Sequence, residues 1–324
     1  MKDIIRTVMK ACNPNGTQVE AGMVKFQQGH LIGYGGVFCI QAPVEVSAEC
    51  AFNPKTLLAF HRKNRDGCSY TVKDGKLILR HGRERVTMKC LPPAELAIID
   101  VFKDKKKTKG ISNKAAKILE RCIDSSHHNH CYQGALIRDG YVVATNGQIM
   151  FALKVKTLRE IDCVVPYDTI KFIAGHKPNM THYAFDGSNI KFWFEDGISV
   201  TSRIIDSDGY VDVFAVFDKE FDDVLIDADT VNDIKSLGSE YIGVSNNKIL
   251  YQIGNDDIGE IILNDDDAEL YNFTVMKNYL DILLEITMSE KLLLSDDNRM
   301  LKADGGKYFL AGCALCTTRI REQS

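Results

Sequence analysis

The sequence predicts an α+β protein in which one small domain of strands, helix and strands is written three times. Two observations lead to this prediction. Short apolar runs alternate with polar residues between Asx-Gly turns, and each set of such runs is followed by an amphipathic helix. The same order of parts recurs at intervals of about 110 residues, the usual size of one small domain. With 45% hydrophobic residues in 324, the chain has apolar material for two or three cores.

The middle copy, from Cys131 to Ile205, shows the pattern most clearly. Asp139-Gly140 and Asn146-Gly147 separate alternating runs, and Asx-Gly pairs in such a context are the strongest short-range signal for a β-hairpin. A helix is predicted next because Ile170 and Ile173 share one helical face. The predicted elements are strands over 134–137, 141–144 and 150–155, a helix over 166–176, and strands over 182–185, 190–194 and 199–205.

The flanking copies repeat this order of parts. The upstream copy has predicted strands over 22–25, 30–34 and 38–46, a helix over 54–63, and strands over 69–72, 76–80 and 85–91. The downstream copy has predicted strands over 240–245, 249–253 and 259–263, a helix over 276–286, and strands over 291–294, 300–303 and 309–315. Amphipathic helices over 1–12 and 113–124 open the first two copies, whereas the opening segment of the third, 229–236, is short. The domains predicted from this repeat are residues 1–106, 107–220 and 221–324.

Basic side chains form rows on four of the predicted helices. The rows are Arg6 and Lys10 on the first helix, Lys55, Arg62 and Lys63 on the second, Lys114, Lys117 and Arg121 on the third, and Lys171 and Lys177 on the fourth. A single lysine row is usually only a solvated face, but recurrence at equivalent places favours a shared role. Because the formal net charge is −4, acids lie elsewhere, chiefly in turns. This segregation is typical of a protein that binds phosphates at one surface. The lysine-rich run 103–109 predicts a charged linker between the first two domains.

Three stretches carry a resemblance to a known family. They are Ala-Thr-Asn-Gly-Gln at 144–148, the Val165-Pro166 entry to a helix, and the run from Lys76 to Pro93. These stretches resemble DNA sliding clamps of the bacterial DNA polymerase III beta-subunit type, and the likeness in order and spacing covers nearly the whole chain. It implies a DNA-clamp fold of three tandem domains, with helices lining a ring interior and sheets outside. Two copies are expected to close the ring, with the stretch 85–90 of one copy meeting the first strand set of the other copy's third domain.

The resemblance also implies a function without catalysis or cofactor: a processivity factor that encircles double-stranded DNA of any sequence. Its implied partners are a DNA polymerase, a clamp loader and a second copy of itself. The chain is shorter than the usual bacterial protein, which suggests a compact, bacteriophage-encoded version. The implied DNA contacts are Arg6, Lys10, Lys55, Arg62, Lys63, Lys114, Lys117, Arg121, His127, Lys171 and Lys177. The implied groove for partner peptides is formed by Tyr132, Thr145, Gly147, Ile149, Met150, Val213, Phe214, Leu310, Gly312 and Cys313.

Two other classes of function stay open from the sequence. Clustered aspartates in turns, such as 256–257 and 265–267, could hold magnesium in a nuclease or phosphotransferase. The repeats could alternatively form a scaffold that binds only proteins. Histidines in the loop 126–130 and the pair Cys313 and Cys316 have residue types that bind metals, although strand alternation also explains Cys313.

The sequence predicts a cytoplasmic protein. No stretch approaches the roughly 18 apolar residues of a membrane span, and residues 1–11 lack the apolar run of a signal peptide. The ten cysteines lie mostly at apolar positions, so we expect free thiols in a reducing compartment.

Overall fold

The computed structural model describes residues 1–13, 22–64, 67–93, 102, 104–217, 221–225, 228–245, 248–253, 257–262, 272–286, 291–295, 300–304 and 309–314. By its internal contacts the chain divides into two compact units. Unit 1 consists of Met1–Ala116 and Val165–Ile205, and unit 2 consists of Lys117–Val164 and Asp206–Ser324. Each unit takes part of the middle copy of the repeat, so the three domain boundaries drawn from the sequence stay a prediction.

Apart from α5, the helices fall where the sequence patterns predict them, most with ends that differ by a few residues. They are α1 (Lys2–Met9), α2 (Pro54–Lys63), α3 (Asn113–Cys122), α4 (Tyr167–Gly175), α5 (Val213–Phe217), α6 (Ala228–Ser236) and α7 (Lys277–Ile286). The bounds of α2 match the prediction because its start is strongly specified. Asn53 caps the helix by accepting a hydrogen bond from the Lys55 amide at 3.0 Å, and Pro54 fills the first turn. The short helix α5 was not predicted.

The strands account for nearly every alternating run in the sequence. In the first third of the chain they are β1 (Val24–Gln27), β2 (His30–Tyr34), β3 (Phe38–Pro43), β4 (Cys50–Phe52), β5 (Ser69–Lys73), β6 (Lys76–His81), β7 (Glu84–Lys89) and β8 (Lys106–Lys107). In the middle they are β9 (Gly134–Arg138), β10 (Tyr141–Thr145), β11 (Ile149–Lys154), β12 (Cys163–Pro166), β13 (Met180–Phe185), β14 (Asn189–Phe194) and β15 (Ser199–Arg203). The last are β16 (Phe221–Leu225), β17 (Tyr241–Ser245), β18 (Lys248–Ile253), β19 (Asp257–Ile262), β20 (Asn272–Met276), β21 (Lys291–Ser295), β22 (Met300–Asp304) and β23 (Phe309–Ala314).

Unit 1 contains an eight-stranded and a three-stranded antiparallel sheet within the described residues. Their strand orders are β4-β1-β2-β3-β15-β14-β13-β8 and β5-β6-β7. Helix α1 packs on β2, β3 and α2. The close approach requires glycine in β2, since a Cβ at Gly33 would lie 2.3 Å from the Val8 carbonyl oxygen of α1.

Unit 2 contains an eight-stranded sheet ordered β12-β9-β10-β11-β23-β22-β21-β16 and a four-stranded sheet ordered β19-β18-β17-β20, again within the described residues. Helix α7 packs on β20, β22 and β23 and buries Leu280, Leu283 and Ile286. Burial of such apolar faces against the sheets supplies the main stabilising term of a small domain.

The strand orders confirm the repeat predicted from the sequence. The groups β4-β1-β2-β3, β12-β9-β10-β11 and β20-β17-β18-β19 have the same order, and β5-β6-β7, β13-β14-β15 and β21-β22-β23 are equivalent meanders. In the order of the chain, α2, α4 and α7 each follow one of the four-stranded groups and precede one of the three-stranded meanders.

One prediction about local structure was wrong. The lysine-rich run 103–109 is not simply a linker, because Lys106 and Lys107 form β8 and pair with Tyr183 and His182 of β13. A polar run of this kind lacks the alternation that marks a strand, and its structure comes from a non-local partner. The strands β4, β12, β16 and β20 were also not predicted; each has three to five residues, which is too short for alternation to identify it. Across the described part of the chain, every helix is too short or too polar to span a bilayer.

Candidate nucleic-acid interface and partner groove

All ten lysines and arginines predicted to contact DNA are exposed. Those on α1 and α2 follow directly from the helical period. Helix α1 buries Ile5 and Val8 and leaves Arg6 and Lys10 in solvent, since residues three or four apart share a face. Arg6 contacts Asp3 at 3.7 Å, but both side chains are more than half exposed, so this pair is weak.

Helix α2 holds its basic face in place through a buried histidine. The Tyr70 hydroxyl lies 2.8 Å from His61 Nε2, and His61 Nδ1 lies 3.2 Å from the Asn64 carbonyl oxygen. Because that carbonyl can only accept, Nδ1 donates and Nε2 accepts from Tyr70. Burial lowers the pKa of His61, which favours the neutral ring in which this pattern of donors and acceptors forms. The adjacent Arg62 and Lys63 point to solvent at the end of the helix.

In unit 1, helix α4 lies close to Lys10, the second basic residue of the row on α1. The Lys10 Nζ is 5.9 Å from the centre of the Phe172 ring. His176 stacks on the same ring at 5.0 Å, and its Nε2 lies 3.2 Å from Asp196. Burial, opposed by Asp196, lowers the pKa of His176, and Lys10 lowers it further. Lys171 and Lys177 are exposed, and Lys10 of α1 lies beside the helix that carries Lys171.

On helix α3, the last cation of the basic row, Arg121, forms an ion pair with a glutamate. Lys114 and Lys117 are exposed, and no ion pair of either is found within the described residues. Arg121, one turn further on, lies 2.6 Å from Glu285 of α7, with both side chains a little over 40% exposed. The sequence could not reveal this contact, since the two residues are 164 positions apart. Arg121 therefore has less free charge to offer a phosphate than Lys117.

The loop after α3 forms an aromatic stack. His127 lies 4.2 Å from His128 and 4.9 Å from Tyr132, ring centre to ring centre, and Tyr132 lies 5.3 Å from Tyr210. His127 Nδ1 accepts from the Asn129 amide at 3.0 Å. In the part of the chain that the structure describes, no group of three metal-ligating side chains is found, in this loop or elsewhere.

The predicted groove residues all belong to unit 2, but the sheet divides them between its two faces. Thr145 pairs with Met150 and Met150 with Gly312, so these positions share a face of β10, β11 and β23. Ile149, paired with Cys313, takes the opposite face, because successive strand residues alternate. Leu310 falls on the face of Met150 by the same alternation.

Burial separates the predicted groove residues further. Thr145, Ile149, Met150 and Val213 are at most 6% exposed in the isolated chain, which is the accessibility of core residues. Gly147 is exposed in the turn, with a φ of +87° that favours glycine. Among the predicted groove side chains whose burial the structure describes, Phe214 is exposed, at 37%, and Tyr132 is partly buried.

Three tyrosines beside the predicted groove were not predicted from the sequence as part of it, because none of them lies in a recognisable motif. Tyr141 packs edge-on against Phe214 at 5.3 Å. Tyr210 is buried and donates to the Val143 carbonyl at 3.1 Å, which fixes the segment leading into α5. The hydroxyl of Tyr279 donates to Gln148 at 2.8 Å and accepts from Asn146 at 3.0 Å, which ties the turn between β10 and β11 to α7. An aromatic pair formed by Tyr141 of β10 and Phe214 of α5, on the same unit as this turn, is suited to hold an apolar side chain of a peptide.

The aspartate clusters of the nuclease alternative gain no support from the described residues. Residues 256 and 265–267 lie outside them, and so does Cys316 of the cysteine pair. Free thiols are found at Cys12, Cys39, Cys50, Cys68, Cys90, Cys122, Cys131 and Cys163.

Solved structures share this fold over almost the entire chain. The beta clamp of Helicobacter pylori in complex with diflunisal has a TM-score of 0.80 at 14% sequence identity, over 98% of this chain and 97% of that one. The Helicobacter pylori beta clamp bound to a DNA ligase peptide has a TM-score of 0.78 at 15% identity over the same shares. The beta subunit of DNA polymerase from Streptococcus pyogenes has 0.74 at 13%, again over 98% and 97%. No protein-family model and no curated protein matches the sequence.

At identities this low, agreement over the whole length establishes the fold. The α+β clamp fold implied by the resemblance in sequence is therefore confirmed.

Proposed function

We propose that this chain is a DNA sliding clamp: two copies close head to tail into a ring that encircles duplex DNA and tethers a polymerase to it. The observation that carries the proposal is that every predicted DNA-binding cation is exposed on, or next to, a helix whose other face is buried. A row held in this way meets phosphates without a pocket that would read bases. Contacts to phosphates position a protein but carry no sequence information, which is what sliding requires.

The repeat suggests how two copies join. In unit 1, β3 pairs with β15, and in unit 2, β11 pairs with β23. The equivalent strands β19 and β7 are sheet edges, with no such neighbour within the described residues. Antiparallel pairing of β7 in one copy with β19 in the other would complete the pattern at two equivalent joints and leave neither edge open.

The charges of these two edges are complementary. Strand β7 contributes Arg85 and Lys89 besides Glu84, whereas β19 contributes Asp257 and Glu260. Opposite charges across such a joint favour the head-to-tail pairing over pairing of like edges. This agrees with the expectation that the stretch 85–90 meets the first strand set of the third domain.

The partner groove is proposed to be the face of β10, β11 and β23 beside Phe214 and Tyr141. A Helicobacter pylori clamp of the same fold was solved with a DNA ligase peptide bound. We infer that this chain likewise takes a short peptide of a polymerase or clamp loader, with Phe214 as the apolar contact. Thr145, Met150 and Val213 would support the groove from beneath. No catalytic step or cofactor belongs to this function, which is exercised in the cytoplasm where the DNA lies.

The test is topological. The protein is assembled on a nicked circular plasmid, with a clamp loader if spontaneous loading is too slow, and the plasmid is then cut once. A ring stays on the circle through gel filtration and leaves the linear product by sliding off its ends. Equal retention on both forms would refute encirclement, and magnesium-dependent cleavage of the plasmid would favour the nuclease alternative. A protein-only scaffold would be retained on neither form.

A further inference from the structure

One end of the eight-stranded sheet of unit 1 carries a basic and aromatic surface that the proposed ring does not use. Strand β8 is the terminal strand, and Lys107 stands opposite His182 of β13. His182 in turn stands opposite Trp193 of β14. Since directly paired residues project from the same face of a sheet, the three side chains lie side by side in one row. We call Lys105, Lys107, His182 and Trp193 the Trp193 surface.

This surface lies on the face of the sheet turned away from α1. Helix α1 covers Gly33 of β2, and the pairing continues from Gly33 through Ile40 and Val200 to Phe192. Phe192 is therefore on the helix-covered face and is fully buried. Trp193, the next residue along β14, takes the opposite face and is partly exposed.

Positive charge is concentrated around the indole. The Nζ atoms of Lys105 and Lys191 lie 4.9 and 5.1 Å from the Trp193 ring centre. Desolvation, together with Lys105 and Lys107, lowers the pKa of His182, as expected where the local potential is positive. Lys105 and Lys107 are both exposed, and Asp104 is the one acid in the described run 104–110.

The backbone of β8 is oriented to accept another strand. The Thr108 amide donates to the Thr181 carbonyl at 2.9 Å, so Thr108 directs its backbone polar groups toward β13. Alternate residues of an antiparallel edge strand direct these groups to opposite sides. Lys107 therefore turns its N–H and C=O away from β13, where the sheet ends in the part of the chain that the structure describes.

We propose that the Trp193 surface is a docking site for an extended acidic peptide of a partner protein, which adds a strand to β8 and sets its carboxylates against Lys105 and Lys107. Main-chain hydrogen bonds supply affinity in this binding mode, and alternate side chains supply specificity. Lysines on an edge strand repel basic strands, and they disfavour apolar strands because pairing would take the charges out of water without a partner. The same lysines admit an acidic one.

A peptide suits this surface better than a nucleic acid. The exposed N–H and C=O of a β-strand edge are matched by a peptide backbone and not by a phosphodiester chain. Nucleic bases would bind an aromatic residue by stacking on its ring, but two ammonium groups already lie over Trp193. Docking here requires neither DNA nor a ring, so its failure and the failure of the clamp function are distinguishable.

The test uses the intrinsic fluorescence of Trp193, the single tryptophan of the chain. The full-length protein is titrated with a short peptide of alternating Glu and Val, blocked at both ends, and with a Lys and Val peptide of the same pattern. Single-stranded and duplex oligonucleotides are titrated in parallel. We expect a saturable change with the acidic peptide, which the double variant Lys105→Glu and Lys107→Glu should weaken by about tenfold or more, as repulsion replaces attraction. Lys109→Glu, an exposed lysine outside β8, is the matched charge control and should change little.

A second pair of variants isolates the backbone contact. Lys107→Pro and Lys107→Ala remove the same charge, but only proline removes the outward N–H, which the fold does not use. We expect the proline variant to bind the acidic peptide about fivefold more weakly than the alanine variant, the effect of about one hydrogen bond. Equal binding by the two variants would overturn strand addition. No fluorescence change, or a change only with oligonucleotides, would overturn the peptide proposal, and the charge-reversal variant decides the matter if the proline variant does not fold.

Discussion

Helix α3 offers a comparison between two cations that the sequence treats as equivalent. Lys117 and Arg121 are one turn apart and both exposed, but Arg121 lies 2.6 Å from Glu285 of α7. We predict that Lys117→Ala weakens DNA retention more than Arg121→Ala does. We also predict that Glu285→Gln strengthens retention, because it frees the arginine and removes a negative charge.

The size of the difference follows from counterion release. Each phosphate contact contributes about 0.9 to the slope of log affinity against log salt, so losing Lys117 from both copies of a ring should flatten the slope by about 1.8. To contact a phosphate, Arg121 must first give up its pair with Glu285, which for exposed pairs contributes about 0.2–1 kcal/mol. Arg121→Ala should therefore flatten the salt slope by less than half as much as Lys117→Ala. Glu285→Gln should restore a full phosphate contact by Arg121.

The assay is retention on nicked circular DNA over a series of salt concentrations, with thermal unfolding to show that each variant is folded. Glu120→Gln is a suitable control, since it removes a neighbouring charge of α3 without touching the pair. If Lys117→Ala and Arg121→Ala flattened the slope equally and Glu285→Gln had no effect, the compensation of Arg121 would be refuted.

Three further predictions concern the groove, the subunit joint and pH. Phe214→Ala should weaken binding of a partner peptide, measured by calorimetry, without unfolding the protein. Met150→Asp should instead lower the melting temperature, because a carboxylate at this buried position costs several kcal/mol of folding stability. Arg85→Glu combined with Lys89→Glu should turn the proposed dimer into a monomer in sedimentation, and an unchanged dimer would exclude the β7 joint. Burial lowers the pKa of His61 and His176 below the usual 6.5. As the pH falls through 6.5, these histidines are protonated in the unfolded chain but stay neutral in the folded chain, so the free energy of unfolding should decrease. Glutamine variants should remove most of this pH dependence of the melting temperature.

Local signals in the sequence were sufficient for most of the fold. The turn at Asp139-Gly140 has both residues at positive φ, the conformation that an Asx-Gly hairpin demands, so β9 and β10 could be located from it. Helix α2 was located to the residue because Asn53 and Pro54 specify its start. Strand β8 could not be found in this way, since its lysines have no alternation and become a strand only by pairing with β13.

The candidate sites were predictable to the extent that periodicity determines exposure. The 3.6-residue period identifies which cations of a helix face solvent, and all ten do. It does not say whether a distant acid compensates one of them, as Glu285 does for Arg121. In the groove, alternation separates Ile149 from Met150, but which of the two faces the partner depends on where the helices pack. The pairing of Phe214 with Tyr141 joins separate segments and has no local signature.

The charges of helix α7 indicate that the proposed DNA contact is unevenly distributed along the chain. It occupies the place of α2 and α4 in the repeat, but its one lysine is accompanied by two acids. Lys277 is only 13% exposed and lies 2.8 Å from Asp281, so it has little charge to offer, and Glu285 opposes Arg121. A helix of this charge repels phosphates, and we expect the third copy of the repeat to hold the ring closed without binding DNA. Lys277→Ala should therefore leave the salt slope unchanged, while Lys171→Ala at the equivalent helix α4 should flatten it. A flattening by Lys277→Ala equal to that by Lys171→Ala would contradict this division of roles.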